Sequence, residues 1–146
     1  MSSLGIVALA GALAVTGVVA WWLQTHNGAV RTPAPERAPS HLPVFARLGV
    51  RPEEADLTVV QFSTAFCGPC RTTKARLQHL QTTRPGLAYV HVDAESHLDE
   101  VRELDVRRTP TLFYLGRDGE LIGRSSGAPR PDELTALVDA HAGVGP

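Results

Sequence analysis

The sequence predicts an α/β domain, a mixed central sheet with helices on both faces, carried behind one N-terminal membrane-spanning helix. Short β-branched runs alternate with stretches whose apolar residues recur every three or four positions, and the last two strand-like runs form a hairpin. Ahead of them, residues 4–23 carry no charged side chain. A length of 146 residues holds one such domain and an appendage. The formal net charge is −1, and the arginines are scattered with little aromatic interleaving. That pattern offers nucleic acid no binding face.

Residues 1–3 are a short tail. In the apolar stretch 4–23, ~20 residues rising ~1.5 Å each match a hydrocarbon core of ~30 Å, so the lipid bilayer is the expected partner of this segment. Trp21 and Trp22 close it as interfacial aromatics do. A cleaved signal peptide is the competing reading, with Val18-Val19-Ala20 as a cleavage site, but Met1-Ser2-Ser3 supplies no basic n-region. No Lys or Arg precedes the stretch, whereas Arg31 and Arg37 follow it. The positive-inside asymmetry therefore sets the N-terminus outside and the folded domain in the cytoplasm. Residues 24–43 include Pro33, Pro35, Pro39 and Pro43 and read as an extended tether, at about 3 Å per residue. Such a spacer would hold the domain, residues 44–143, away from the bilayer.

Within the domain, Val44, Phe45 and Leu48 suit a short helix that Arg51-Pro52-Glu53 ends. Residues 57–63 are apolar, β-branched and short, the mark of a buried strand. Helical spacing of Cys70, Thr73, Leu77 and Leu80 predicts a helix over 68–84, stopped by Pro85-Gly86. Residues 87–92 alternate, with Leu87, Tyr89 and His91 on one face. Ser96 with Asp99 forms a capping-box pattern leading into Leu98, Val101 and Leu104. Strands over 111–115 and 120–124 flank Gly116-Arg117-Asp118-Gly119, a hairpin turn. A last helix starts with Pro131 at its first position, shows Leu134, Leu137 and Val138 on one face, and stops at Gly143. His79, His91 and His97 read as solvated polar groups rather than ligands.

Chemistry concentrates in Phe66-Cys67-Gly68-Pro69-Cys70, between the predicted buried strand and the helix that follows. Gly68 and Pro69 fall in the first helical turn, where a missing amide hydrogen costs little. Cys67 then sits at the helix N-terminus, where unpaired amides and the macrodipole favour a thiolate, which makes it the candidate nucleophile. Cys70, one turn further in and partly covered, is the natural resolving thiol. The pair is the whole cysteine inventory. With no second Cys pair or closely spaced His pair, a tetrahedral metal site lacks ligands.

With this tetrapeptide and Arg108-Thr109-Pro110-Thr111-Leu112 further on, residues 55–143 resemble the thioredoxin family. The resemblance implies the thioredoxin fold. It implies a cis Thr109-Pro110 peptide facing the cysteines and presenting the Thr109 backbone to an extended substrate, and a glycine, here Gly127, leaving room beside that proline. It implies a thiol-disulfide oxidoreductase that reduces protein disulfides through a redox-active Cys67-Cys70 disulfide, with no bound cofactor, and the apolar stretch 4–23 would anchor it to a membrane. Electrons would come from a flavin-dependent thioredoxin reductase or a membrane thiol donor. The potential is expected near the thioredoxin end of the range, on the order of −270 mV.

The chain departs from the family pattern in four places. Gln61 and Tyr89 stand where a buried Asp and a Lys are usual, which removes an ion pair and the customary proton acceptor for the resolving thiol. Phe66 replaces Trp before the first cysteine and is expected to keep an apolar shield without the indole N–H. Ala75 replaces a helix proline, which predicts a straighter helix. Two rival readings stay open at this level. One is an extracytoplasmic reductase, or an oxidase or isomerase, serving exported proteins or cytochrome maturation. The other is a non-catalytic interaction module using the same fold.

Overall fold

Alternation along the strands explains how this chain builds a core on each side of one sheet. A computed structural model describes residues 3–26, 28–32 and 41–143. Among the described residues five strands lie in the order β1-β5-β4-β2-β3. They are β1 (Val30–Arg31), β2 (Leu57–Ser63), β3 (Leu87–Asp93), β4 (Thr111–Gly116) and β5 (Leu121–Ser126). β2 runs parallel to β3 and antiparallel to β4, and β5 pairs antiparallel with both β4 and β1, so the sheet is mixed. The helices are α1 (Ser3–His26), α2 (Leu42–Arg47), α3 (Gly68–Gln81), α4 (Leu98–Glu103) and α5 (Pro131–Ala142).

Successive side chains on a strand point to opposite faces. Leu57, Val59, Leu112 and Tyr114 accordingly pack with Leu77 and Leu80 of α3 and Leu134 and Val138 of α5. Val60, Phe62, Phe113 and Leu115 pack on the other face with Val44 and Phe45 of α2 and with Leu104 after α4. The same parity that turns Leu57 and Val59 toward α3 turns Gln61 that way too. Strand phase alone therefore delivers a polar group beneath the first turn of α3.

The hairpin closes as its residues predict. Gly119 takes φ +76°, and its amide donates to Gly116 O at 2.9 Å. α5 begins at Pro131 and ends before Gly143, whose φ of +66° suits glycine at a helix stop.

Other expectations need correction. The stretch 24–43 is not one continuous tether. α1 runs on to His26, and Val30 and Arg31 pair with Ser125 and Arg124 of β5. Val30 is drawn in because it packs against the core on the α3 side of the sheet. Residues 33–40, the heart of the expected polyproline spacer, lie outside the described residues. The capping box before α4 does not form, because Ser96 Oγ donates to Asp93 Oδ2 at 2.5 Å, leaving His97 as the N-cap. Leu98 is exposed rather than packed. α3 ends at Gln81, short of Arg84. Thr82 and Thr83 hydroxyls bond to the His79 and Leu80 carbonyls and terminate the ladder locally.

Candidate active site

β2 delivers the chain to Ser63, a short loop follows, and α3 starts at Gly68. Cys67 is the N-cap of α3, in extended conformation, and its Sγ accepts the Cys70 backbone N–H at 3.2 Å. A sulfur at this position substitutes for the oxygen of an ordinary cap and receives an otherwise orphaned amide. Pro69 in the first turn has no N–H to waste there. Cys67 and Cys70 form a disulfide with a Cα–Cα distance of 5.2 Å. Cys67 is half-buried, whereas Cys70 is only 3% exposed. The two sulfurs therefore differ in access as the roles of attacker and resolver require.

Beneath Cys70 lies a polar network without a charge. Gln61, fully buried, donates through Nε2 to Cys70 O at 3.0 Å and to Ser63 Oγ at 2.9 Å. Its Oε1 accepts the Tyr89 hydroxyl at 3.2 Å. Burial pushes the Tyr89 phenol up to about 12, so it stays protonated and donates. Tyr89 and Gln61 thus satisfy each other, and Gln61 also holds the backbone of Cys70. Ser63 was not legible as a member of this group. The available signal was its position two residues after Gln61 on the same strand face.

The second half of the site comes from the other end of the sheet. The Thr109-Pro110 peptide is cis. Thr109 Oγ1 lies 3.4 Å from Thr64 Oγ1, which ties this loop to the one that carries Cys67. The Gly127 N–H donates to Pro110 O at 2.8 Å, and Gly127 has a φ of +101° that an L side chain would strain. Three loops, at 64–67, 109–110 and 126–127, are thereby joined, and they contain Cys67, Thr109, Pro110 and Gly127.

Phe66 departs from its expected role. It is 97% exposed and shields neither sulfur, because it precedes the N-cap on a loop that turns its ring outward. Beside the cysteines a shallow cavity of about 250 Å³ is lined by Ser63, Lys74, His91 and Asp93. The Ser96 hydroxyl and then the Glu95 amide hold the Asp93 carboxyl below its usual range. Desolvation lowers the His91 imidazole, Lys74 adds to the effect and Asp93 opposes it, so His91 favours its neutral form.

Comparisons with known proteins agree with this geometry. The thioredoxin family model matches residues 50–140. Thioredoxin H4-1 of Oryza sativa subsp. japonica is 30% identical over 91 residues, 60% of this chain and 69% of that protein. Mitochondrial thioredoxin-3 of Saccharomyces cerevisiae is 36% identical over 76 residues, 52% of this chain and 59% of that protein. The oxidised crystal structure of that yeast thioredoxin superposes with a TM-score of 0.55 at 30% identity, covering 68% of this chain and 89% of its own. A mutant thioredoxin from Halobacterium salinarum, at 22% identity and a TM-score of 0.59, shares the fold over 69% of this chain and 88% of its own. A paired-cysteine helix cap, a mixed sheet of this order and a family match over most of the folded domain lead to one assignment: the chain belongs to the thioredoxin family of thiol-disulfide oxidoreductases, with the Cys67–Cys70 disulfide as its redox centre.

Proposed function

We propose that the protein is a membrane-anchored reductase of protein disulfides whose catalytic domain works in the cytoplasm. The observation that carries the reading is the amide hydrogen bond to Cys67 Sγ at the mouth of α3. In the reduced protein the same amide and the helix dipole stabilise a Cys67 thiolate. That thiolate attacks one sulfur of a client disulfide, and the S–S bond breaks as the other client sulfur leaves as thiolate. Cys70, as thiolate, then attacks Cys67 Sγ. The mixed disulfide breaks, the second client sulfur departs, and the pair is left oxidised. The client gains two electrons and the protein loses two, which thioredoxin reductase or a membrane thiol donor restores. Phe66, Thr109 and Gly127 form the surface offered to the client, next to the buried Pro110, with Phe66 as an exposed apolar contact beside Cys67.

Because Gln61 carries no charge, the Cys70 proton goes to water or to the departing client thiolate rather than to a carboxylate. The rate of mixed-disulfide resolution is therefore expected to fall as pH drops, in step with the Cys70 thiolate fraction. Gln61→Asp supplies an acceptor whose burial raises its pKa toward the working range, and should extend the low-pH limb by about one unit. Single-turnover resolution measured across neutrality for both forms checks this. Superimposable profiles would remove Gln61 from the proton path.

Support for the anchor comes from residues 5–25, an apolar segment of α1 with a mean hydropathy of 2.1. Every described side chain along it is exposed. At ~1.5 Å per residue it reaches across a bilayer core. Arg31 and Arg37 beyond it supply the positive-inside bias. In intact cells a membrane-impermeant thiol reagent should leave reduced Cys67 unlabelled until the membrane is opened. Labelling from outside would reverse the orientation and point to exported clients. A mature chain lacking residues 4–23 would identify the segment as a cleaved signal instead.

A further inference from the structure

The exit of α1 is fastened to the sheet almost at once. Gly28 donates its amide to Ser126 O at 3.0 Å, and Val30 and Arg31 then pair with β5. Gly28 has a φ of +84°, and a Cβ there would run into the Ala128 carbonyl, so the backbone crosses β5's exit where only glycine fits. The chain is thus bonded to the sheet within five residues of the end of α1.

Between that helix end and the sheet edge lies a cavity of about 510 Å³ with two unlike walls. One is apolar, formed by Trp22 and Leu23, the last large apolar side chains of α1. The other is formed by Arg31, Arg107, Arg108 and Arg124, and Asp105 is the one acidic residue among its described lining residues. Arg107 Nε is paired with the Asp105 carboxylate at 2.7 Å. Arg124 is held in place by the Leu104 and Asp105 carbonyls, at 2.9 and 2.7 Å, and its guanidinium carbon lies 4.9 Å from the Phe113 ring centroid. Those partners orient its charge without neutralising it. Arg31 is exposed and has no ion pair among the described residues.

We infer that this cavity binds the phosphate-bearing headgroup of an anionic membrane lipid, with the acyl chains running along Trp22 and Leu23. The inference rests on α1 spanning the bilayer, which sets the cavity at headgroup depth. Planar guanidiniums bind phosphate oxygens through paired hydrogen bonds, and basic groups close to an anionic leaflet are drawn to it. A free phosphate or an acidic peptide would gain nothing from an apolar wall continuous with the span. Arg108 and Ser126 of the cavity immediately precede Thr109 and Gly127, so an occupied cavity holds the client-binding loops close to the bilayer surface and favours clients that reside there.

The test uses the full chain in nanodiscs of phosphatidylcholine mixed with phosphatidylglycerol, with retained lipids counted by native mass spectrometry. Wild type is expected to retain phosphatidylglycerol with a preference on the order of tenfold, weakened by high salt. Arg31→Gln combined with Arg107→Gln should bring the preference down severalfold while insulin reduction stays unchanged, which shows the variant folded. Incorporation without any lipid preference overturns the inference and leaves the anchor intact. Failure to incorporate into discs overturns the anchor and the inference together. Binding of inorganic phosphate to the detergent-solubilised chain with no preference in discs assigns the cavity to a free phosphate and also overturns it. So does a variant that keeps the lipid preference and loses reduction only of acidic peptide disulfides.

Discussion

Cys67→Ser is expected to abolish insulin reduction, lowering the rate on the order of a thousandfold or more, to that of the chemical reductant alone. A serine hydroxyl at the N-cap can accept the Cys70 amide as the sulfur does, so the fold survives. It neither ionises near neutrality nor forms a bond to client sulfur. Cys70→Ser should behave differently. Attack by Cys67 still occurs, but nothing follows to break the mixed disulfide, so a covalent complex with client accumulates and is seen on a non-reducing gel. The contrast follows from access, since Cys67 is half-buried and Cys70 is 3% exposed. A Cys67→Ser protein with full function in cells would point to a non-catalytic module. A Cys70→Ser protein that traps no client would remove the two-step mechanism.

Phe113→Ala should cost about 3–5 kcal/mol of stability, because the lost ring leaves a cavity that its neighbours fill only in part. Phe113 is 1% exposed, with ring centroids 5.3 Å from Phe45 and 5.8 Å from Phe62, both edge-on. Arg124 loses its aromatic support in the same change. For a domain of this size each kcal/mol lowers the melting temperature by about 4–8 °C, so the loss is large in a thermal scan. The same ring lies on β4, three residues after Pro110, and its packing holds that strand against α2. A loss of less than about 1 kcal/mol, the range of tolerated volume-conserving swaps, would show that this half of the core does not depend on the ring.

Much of this was legible in the sequence because it rests on local rules. The β-branched run at 57–63, the helix pattern after it and the hairpin turn each depend on residues within one element. A Cys-Gly-Pro-Cys tetrapeptide between strand and helix specified the redox pair, and the Thr109-Pro110 step marked the second loop. Less legible were features set by competition between neighbours. Ser96 looked like a cap until Asp93, on the end of β3, took its hydroxyl. Phe66 looked like a shield because it is aromatic and adjacent, but direction depends on the loop, and its ring faces outward.

By itself the sequence determined the thiol chemistry, the membrane-length apolar helix and the order of strands and helices, since each follows from spacing and residue type along a short stretch of chain. Only the tertiary structure decided that Gln61 holds Ser63, Tyr89 and the Cys70 carbonyl in one network, and that Val30 and Arg31 join the sheet edge. Those outcomes depend on which residues meet across gaps of tens of positions. Two residues have no periodicity to read, and a hydrogen-bonding side chain does not announce its partner until the strands are in register.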